Sequence, residues 1–415
     1  MVRRIYLHVG TPKTGTTYLQ SVLWANRDAL ARQGLLLPLK GVREHFYLSV
    51  TARGSAEAKA NMPPAGHTAW NRMIDEVKRS RRDVLISHEL FSAGSMKEAA
   101  WVHAQLRPLC QELHIVVTAR DMGRQVPAEW QQTVKHGRDH TLPAFYDTLR
   151  RWDPDEPTRP PLKSRPPVLF WQVQDLVAVL DRWGAGLPRE HIHIVTVPPR
   201  GADKRLLWSR FAQVVNVDPE SVDQSVTTPN ESLGVAEIEL VRRVNTALPA
   251  DLPRMRQQKV VKGGLADTIL AARAGMRKFA PSAQDYAWSV KRGTQMVEAL
   301  RPLGYDVVGD LDDLIPAAQP PGGASVDDVT EGELNTVAVQ TIVDLLLPSD
   351  APAARGMDAD PRRARGKIGD QQRRTNQQAK TLEQARQERR GGAHRLLLRL
   401  RRAGGKVKRL ITRRR

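Results

Sequence analysis

The stretch Arg4-Ile-Tyr-Leu-His-Val-Gly10-Thr-Pro-Lys13-Thr-Gly15-Thr-Thr17-Tyr-Leu-Gln20 decides the fold. A β-branched and apolar run feeds a loop with two glycines, then a Thr-Thr pair, then a helical pattern. This is strand, tight turn and helix N-terminus in immediate succession. The first backbone N–H groups of a helix lack internal partners and point outward, so they favour an anion. Gly10 and Gly15 allow the backbone to curl close to such a ligand.

The spacing Gly10-x-x-x-x-Gly15 fits the first half of the triphosphate-binding pattern G-x-x-x-x-G-K-[ST]. The second half differs, because Thr16 stands where that pattern has lysine, and the lysine lies inside the loop at Lys13. Triphosphate chemistry uses the missing lysine to reach the β- and γ-phosphates. The anion cradle is kept and the triphosphate chemistry is disfavoured.

Pro12-Lys13-Thr14-Gly15-Thr16-Thr17, continued by Tyr18, Leu19 and Gln20, resembles the 5′-phosphosulfate loop of sulfotransferases that use 3′-phosphoadenosine 5′-phosphosulfate (PAPS). The resemblance implies a P-loop-like fold. It implies that Lys13 stabilises the leaving phosphate and that Pro12, Thr14, Gly15, Thr16 and Thr17 cradle it. It also implies an arginine at a strand end for the 3′-phosphate, which Arg120 matches, with a serine eight residues later. Ala128 stands there instead, and Arg124, Gln125 or Gln131 are the candidates to compensate. A basic, glycine-containing third segment is matched loosely by Lys291-Arg292-Gly293.

Around the loop, strand patterns at Arg4–Val9, Leu35–Leu37, Asp83–Ser87, His114–Ala119 and His191–Val197 alternate with helical ones at Thr17–Gln33, Trp171–Trp183, Leu233–Thr246 and Gln284–Leu300. This alternation predicts an α/β fold of three layers, a parallel sheet between helices, with ligands at the carboxyl ends of the strands. Gly10, His88, Arg120 and Pro198 fall at such ends. A turn or short strand over Gly304–Pro316 closes the domain, so residues 1–316 form the α/β domain. Residues 317–330 read as a linker, 331–347 as an amphipathic helix, 348–390 as a disordered stretch and 391–415 as a basic tail.

Transfer of a sulfuryl group needs an in-line hydroxyl acceptor and a base for its proton. Val84-Leu-Ile-Ser-His88-Glu89 ends a strand with two such bases, and alternation along an extended chain turns them to opposite sides. Imidazole suits neutral pH. The resemblance favours Glu89, with His88 as the other candidate and a helix cap as the role of whichever does not react. The proline-rich loop Trp152–Pro161 and the Asn230-Glu-Ser232 turn are candidate acceptor contacts, the latter equally a helix cap.

The formal net charge of +19 is unevenly spread: Arg389–Arg415 carry twelve Lys or Arg and no acid. Interleaved leucines there suit an anionic membrane surface, and no nucleic-acid-binding pattern accompanies them. One cysteine, Cys110, excludes disulfides and cysteine-based metal clusters. No metal is expected to be required. Met1-Val-Arg-Arg leads straight into the first strand and no apolar run is long enough to span a bilayer, which points to the cytoplasm, peripheral on the inner membrane face. The expected activity is therefore PAPS-dependent sulfation of a sugar, glycolipid or small-metabolite hydroxyl. A P-loop kinase and a non-catalytic nucleotide- or polyanion-binding protein are the alternatives.

Overall fold

The structure, a computed structural model, describes residues 1–54, 56–155, 169–203, 205–225, 232–318 and 322–347. Six strands, β1 (Val2–Gly10), β2 (Leu35–Leu36), β3 (Asp83–Ser87), β4 (Cys110–Ala119), β5 (Ile192–Thr196) and β6 (Asp306–Val308), form one sheet in the order β2-β3-β1-β4-β5-β6. Every pairing is parallel, from Ile5 opposite Val84 to Val195 opposite Val308. The fold is α/β, as the alternation predicts. The turn or short strand expected near residue 305 is β6, paired to β5.

A parallel sheet is covered on both faces, which explains the near-continuous apolar runs. Ile5, Leu7 and Val9 of β1 join Ile86, Ile115 and Val117 in a core shared with helices Ala69–Arg79, Met96–Leu106, Leu176–Gly184 and Ala283–Leu300. On the other face Tyr6, Leu85, Val116 and Val195 pack against helices Thr16–Ala25 and Leu206–Val214. A third cluster contains no strand residue. It joins helices Met122–Lys135, Leu142–Arg151 and Val235–Ala247 around Trp130, Phe145 and Ile238.

Two expected helices are each broken in two. The Thr17–Gln33 pattern divides at Asn26, whose amide donates to the carbonyls of Val22 and Asp223, each at 2.8 Å, and accepts from the Asp223 N–H. The Trp171–Trp183 pattern divides at Asp175, which turns extended and caps the second half through the Ala178 N–H at 3.1 Å. In both, a side chain that competes with the backbone for hydrogen bonds ends the helix.

The compact unit runs from Met1 to Leu347 and so continues past residue 316. The described part of the expected linker is tied down: Ala324 exchanges backbone hydrogen bonds with Lys278 and Ala280, and Val326 is buried. Helix Glu331–Leu346 opens on a capping box at Thr330 and buries Leu334, Val337 and Thr341. The expected disordered stretch 348–390 and the basic tail 391–415 lie outside the described residues, as do residues 156–161 of the proline-rich loop and Asn230 and Glu231. No helix among the described residues is long and apolar enough to cross a membrane.

Candidate active site

The strand order places β1 at a switch point: the chain leaves it toward β3 on one side and later adds β4 on the other. Loops diverge there and leave a crevice at the carboxyl ends of the strands. The loop after β1 and Arg120 after β4 are neighbours in it.

The loop is held by β4 through the Thr11 N–H, which donates to the Thr118 carbonyl at 2.9 Å. Gly10, Lys13 and Gly15 all have positive φ, at 104°, 63° and 83°. A Cβ on Gly10 would lie 2.8 Å from the Glu89 Cα, so this glycine lets the β3 end close on the loop. Gly15 opens the ten-residue helix Thr16–Ala25 with no side-chain cap, which leaves the first-turn N–H groups to a ligand. Thr14 turns inward, its hydroxyl shared between the Thr11 carbonyl and the Thr118 hydroxyl, both at 2.5 Å. Its side chain therefore staples the loop. His8 beneath is fully buried between Ser87 and Thr118 and its pKa falls to about 3 through burial. Thr16 is buried and Thr17 exposed.

The two cations of the crevice are both held by amides. Lys13 Nζ donates to Gln132 Oε1 at 2.7 Å, and burial lowers its pKa, opposed by the nearby Glu129. Arg120 Nε donates to Gln125 Oε1 at 2.9 Å and a terminal nitrogen to the Arg124 carbonyl at 3.1 Å. Arg120 has no ion pair among the described residues, and burial followed by repulsion from Arg124 lowers its pKa to about 10. Asp121 pairs with Arg124 instead. Gln125 and Gln174 both donate to the Pro12 carbonyl, at 2.7 and 3.0 Å, which clamps the loop from two helices.

The two acids are treated alike. Glu89 Oε2 accepts from Gln20 Nε2 at 3.3 Å, and Glu129 Oε1 from Gln174 Nε2 at 3.0 Å. Burial raises the Glu129 pKa, while Lys13 pulls it down. His88 is buried, and its Nδ1 accepts the Leu90 N–H at 3.2 Å to cap the short turn Glu89–Ala93. Burial lowers the His88 pKa as well. Of the two expected bases, His88 is the capping one, and Glu89 faces the loop helix.

The three residues expected to compensate for Ala128 are each engaged. Arg124 reaches Asp121 and the Pro198 carbonyl, Gln125 bridges Arg120 and Pro12, and Gln131 exchanges two hydrogen bonds with the Leu233 backbone. The Lys291-Arg292-Gly293 stretch does not reach the loop cations. Arg292 pairs with Asp153 and Asp155 at 3.0 and 2.7 Å and lies over Trp171. The basic, glycine-containing stretch near Lys13 is Lys262-Gly263-Gly264, since Lys262 disfavours the charged forms of both Lys13 and His136. It lies in a π-helical run, Gln258–Ile269, an irregularity frequent at functional sites.

Sequence reasoning missed Glu129, Gln132, Gln174 and Lys262. A visible signal existed for the first two: Gln125, Glu129 and Gln132 recur at four and three residues, on one helix face.

No family model and no curated protein matches the chain. One solved structure does, the crystal structure of a sulfotransferase from Alicyclobacillus acidocaldarius, with a TM-score of 0.36 and 16% identity over 63% of this chain and 97% of that one. At that distance the chemistry is left to the residues themselves.

Proposed function

We propose that the chain transfers the sulfuryl group of PAPS to a hydroxyl of a carbohydrate, glycolipid or small metabolite. The observation that carries the reading is the pair of half-buried cations, Lys13 and Arg120, held by glutamine amides at adjoining strand ends beside an uncapped helix N-terminus. An amide fixes a cation without neutralising it, so the full charge is kept for an anion. Two such centres in one crevice suit a nucleotide with phosphates at two positions.

In this reading the N–H groups of Gly15, Thr16 and Thr17 hold the 5′-phosphate. Lys13 leaves Gln132 to stabilise the charge that builds on the oxygen bridging phosphorus and sulfur. Arg120 takes the 3′-phosphate, and Lys262 adds positive charge on the Lys13 side of the crevice. The acceptor oxygen attacks sulfur in line, the sulfur–oxygen bond to the phosphate breaks, and the acceptor proton passes to Glu89. His88 is unsuited to that step, because protonating Nδ1 would release the Leu90 N–H.

Titration calorimetry with adenosine 3′,5′-bisphosphate and with magnesium ATP tests the proposal. Lys13→Ala and Arg120→Ala should each weaken bisphosphate binding at least about tenfold, the value of a lost charge-assisted hydrogen bond. Preference for magnesium ATP would sink it. Glu89→Ala should abolish transfer from PAPS and keep bisphosphate binding; transfer lost in His88→Ala but kept in Glu89→Ala would reverse the choice of base.

A further inference from the structure

At the opposite, amino-terminal edge of the sheet, four titratable groups crowd the starts of β4, β5 and β6: Glu112, His114, His193 and Asp306. His191, on the turn just before β5, joins them. None has a part in the chemistry proposed above. Their hydrogen bonds form a relay whose proton positions can be deduced. A carboxylate only accepts, so Asp306 Oδ2, 2.6 Å from His193 Nδ1, places a proton on that nitrogen. Neutral His193 then presents a lone pair at Nε2, which lies 2.8 Å from His114 Nδ1. His114 Nδ1 must therefore carry its own proton.

The consequence falls on His114 Nε2. It is the unprotonated nitrogen of a neutral ring, and 3.4 Å away stands Glu112 Oε2, another acceptor. Two lone pairs facing each other call for a cation between them. Arg4 Nε reaches Glu112 Oε2 at 2.8 Å but is shared with Asp83. Among the ion pairs of the described residues, Asp83 and Glu112 share the single guanidinium of Arg4, and Asp306 has His193 alone. The His191 ring lies with its centroid 4.3 Å from that of His114. One ligand atom from each of Glu112, His114 and His191 falls within 4.8 Å of the others.

We propose that Glu112, His114 and His191 bind a divalent ion of the zinc class at the amino-terminal edge of the sheet, with His193 and Asp306 as the outer relay that orients His114. Two imidazoles and one carboxylate suit Zn²⁺ or Co²⁺ and are too nitrogen-rich for Ca²⁺ or Mg²⁺. An imidazole ligand whose other nitrogen donates onward toward a carboxylate is the usual outer arrangement of such sites. Ligand atoms around a tetrahedral ion sit roughly 3.3 Å apart. Binding therefore draws in the half-exposed Glu112 and His191, while His114 stays fixed by His193. The ion would join the start of β4 to the turn that starts β5, far from the loop crevice, and its role is structural.

The full chain, stripped with EDTA, is titrated with Co²⁺ and followed by visible d–d absorption, then back-titrated with Zn²⁺. One equivalent with a tetrahedral spectrum, displaced by Zn²⁺, is expected. His191→Ala and Glu112→Gln should each remove that spectrum. Asp306→Asn, which touches only the relay, should weaken Co²⁺ about 10–100-fold. Circular dichroism in EDTA checks that each variant folds, and adenosine 3′,5′-bisphosphate binding should be unchanged in all three. Should a variant misfold, a rise in the wild-type melting temperature with Zn²⁺, reversed by EDTA, carries the test. An unaltered spectrum in both ligand variants, or no Co²⁺ or Zn²⁺ bound by the wild type at about 100 μM, overturns the proposal.

Discussion

Replacing Arg120 with methionine separates a ligand-seeking arginine from a structural one. Among the described residues its guanidinium has the Gln125 amide oxygen and the Arg124 carbonyl as acceptors, and its pKa is pushed down to about 10. At about 1.4 kcal/mol per unit, keeping that charge inside the empty protein costs about 3 kcal/mol. The sign follows from linkage. The folded state gives up its proton from about pH 10, before the unfolded one does, so the full penalty is present at pH 7 and lifts only as pH rises beyond about 10. Methionine of similar length removes the penalty but leaves the Gln125 amide oxygen without this donor and the Arg124 carbonyl with its helical partner alone, at about 1–3 kcal/mol together. These largely cancel, so Arg120→Met should change the unfolding free energy by no more than about 2 kcal/mol. Arg292→Met is the control. It breaks a buried pair with Asp153 and should cost about 3–5 kcal/mol. Urea unfolding at pH 7, with equal m-values, reads both. With adenosine 3′,5′-bisphosphate at 100 times its wild-type Kd, the wild type should gain about 2.7 kcal/mol and Arg120→Met at least about 1.3 kcal/mol less. If Arg120→Met is destabilised as much as Arg292→Met, or keeps the whole ligand gain, Arg120 is a brace and the donor site lies elsewhere.

Other expectations bear on the loop and its surroundings. Gly10→Ala places a methyl 2.8 Å from the Glu89 Cα at a φ of 104°, and should cost about 2–4 kcal/mol with a matching fall in melting temperature; a shift under about 2 °C would show that β3 gives way freely. His45 accepts the Ser87 N–H and contacts the Pro38 carbonyl, and burial lowers its pKa from 6.5 to about 4. The unfolded chain binds the extra proton first, so stability is full above pH 6.5 and falls on acidification toward pH 4, by up to about 3 kcal/mol from this group. His45→Gln should flatten that part of the urea-midpoint profile, and an unchanged slope refutes the assignment. Lys262→Ala should weaken adenosine 3′,5′-bisphosphate and 5′-AMP alike, by about tenfold, because Lys262 lies on the Lys13 side; a loss confined to the bisphosphate would place it at the 3′-phosphate.

What the sequence reveals here depends on how local the cause is. Strands buried on both faces are continuous apolar runs, so β1, β3, β4 and β5 are legible, and with them the strand-end residues Gly10, Glu89 and Arg120. Lys13 is legible because the whole loop is one contiguous motif. Gln174 is not: it meets Pro12 only because Asp175 ends its helix early and turns the chain. Asn26 likewise stops a helix by bonding a residue 197 positions away. Lys291-Arg292-Gly293 misleads for the complementary reason. Its composition fits a phosphate site, but Asp153 and Asp155 already claim the arginine, and no local pattern announces that pairing.

The charges of the crevice differ from those elsewhere in the molecule in a way that bears on purpose. Arg210 pairs with Asp313 at 2.7 Å, Arg242 with Glu239 at 2.6 Å and Arg292 with two aspartates, while Arg182 is held by the Ser92, Gly94 and Gln172 carbonyls, so this chain gives partly buried arginines elsewhere carboxylate or backbone partners. In the crevice it uses Gln132 for Lys13, Gln125 for Arg120, Gln20 for Glu89 and Gln174 for Glu129. Each amide orientation is forced, since lysine and arginine only donate and a carboxylate only accepts. A neutral partner holds a charge in position and leaves its field intact, at a cost in stability that a carboxylate would have offset. A ligand anion then meets cations already oriented, and neither cation is hydrogen-bonded to a carboxylate that must be displaced. Strand β4 carries the same imbalance at both ends with opposite sign: surplus donors at Arg120 ask for an anion, and surplus acceptors at Glu112 and His114 ask for a cation.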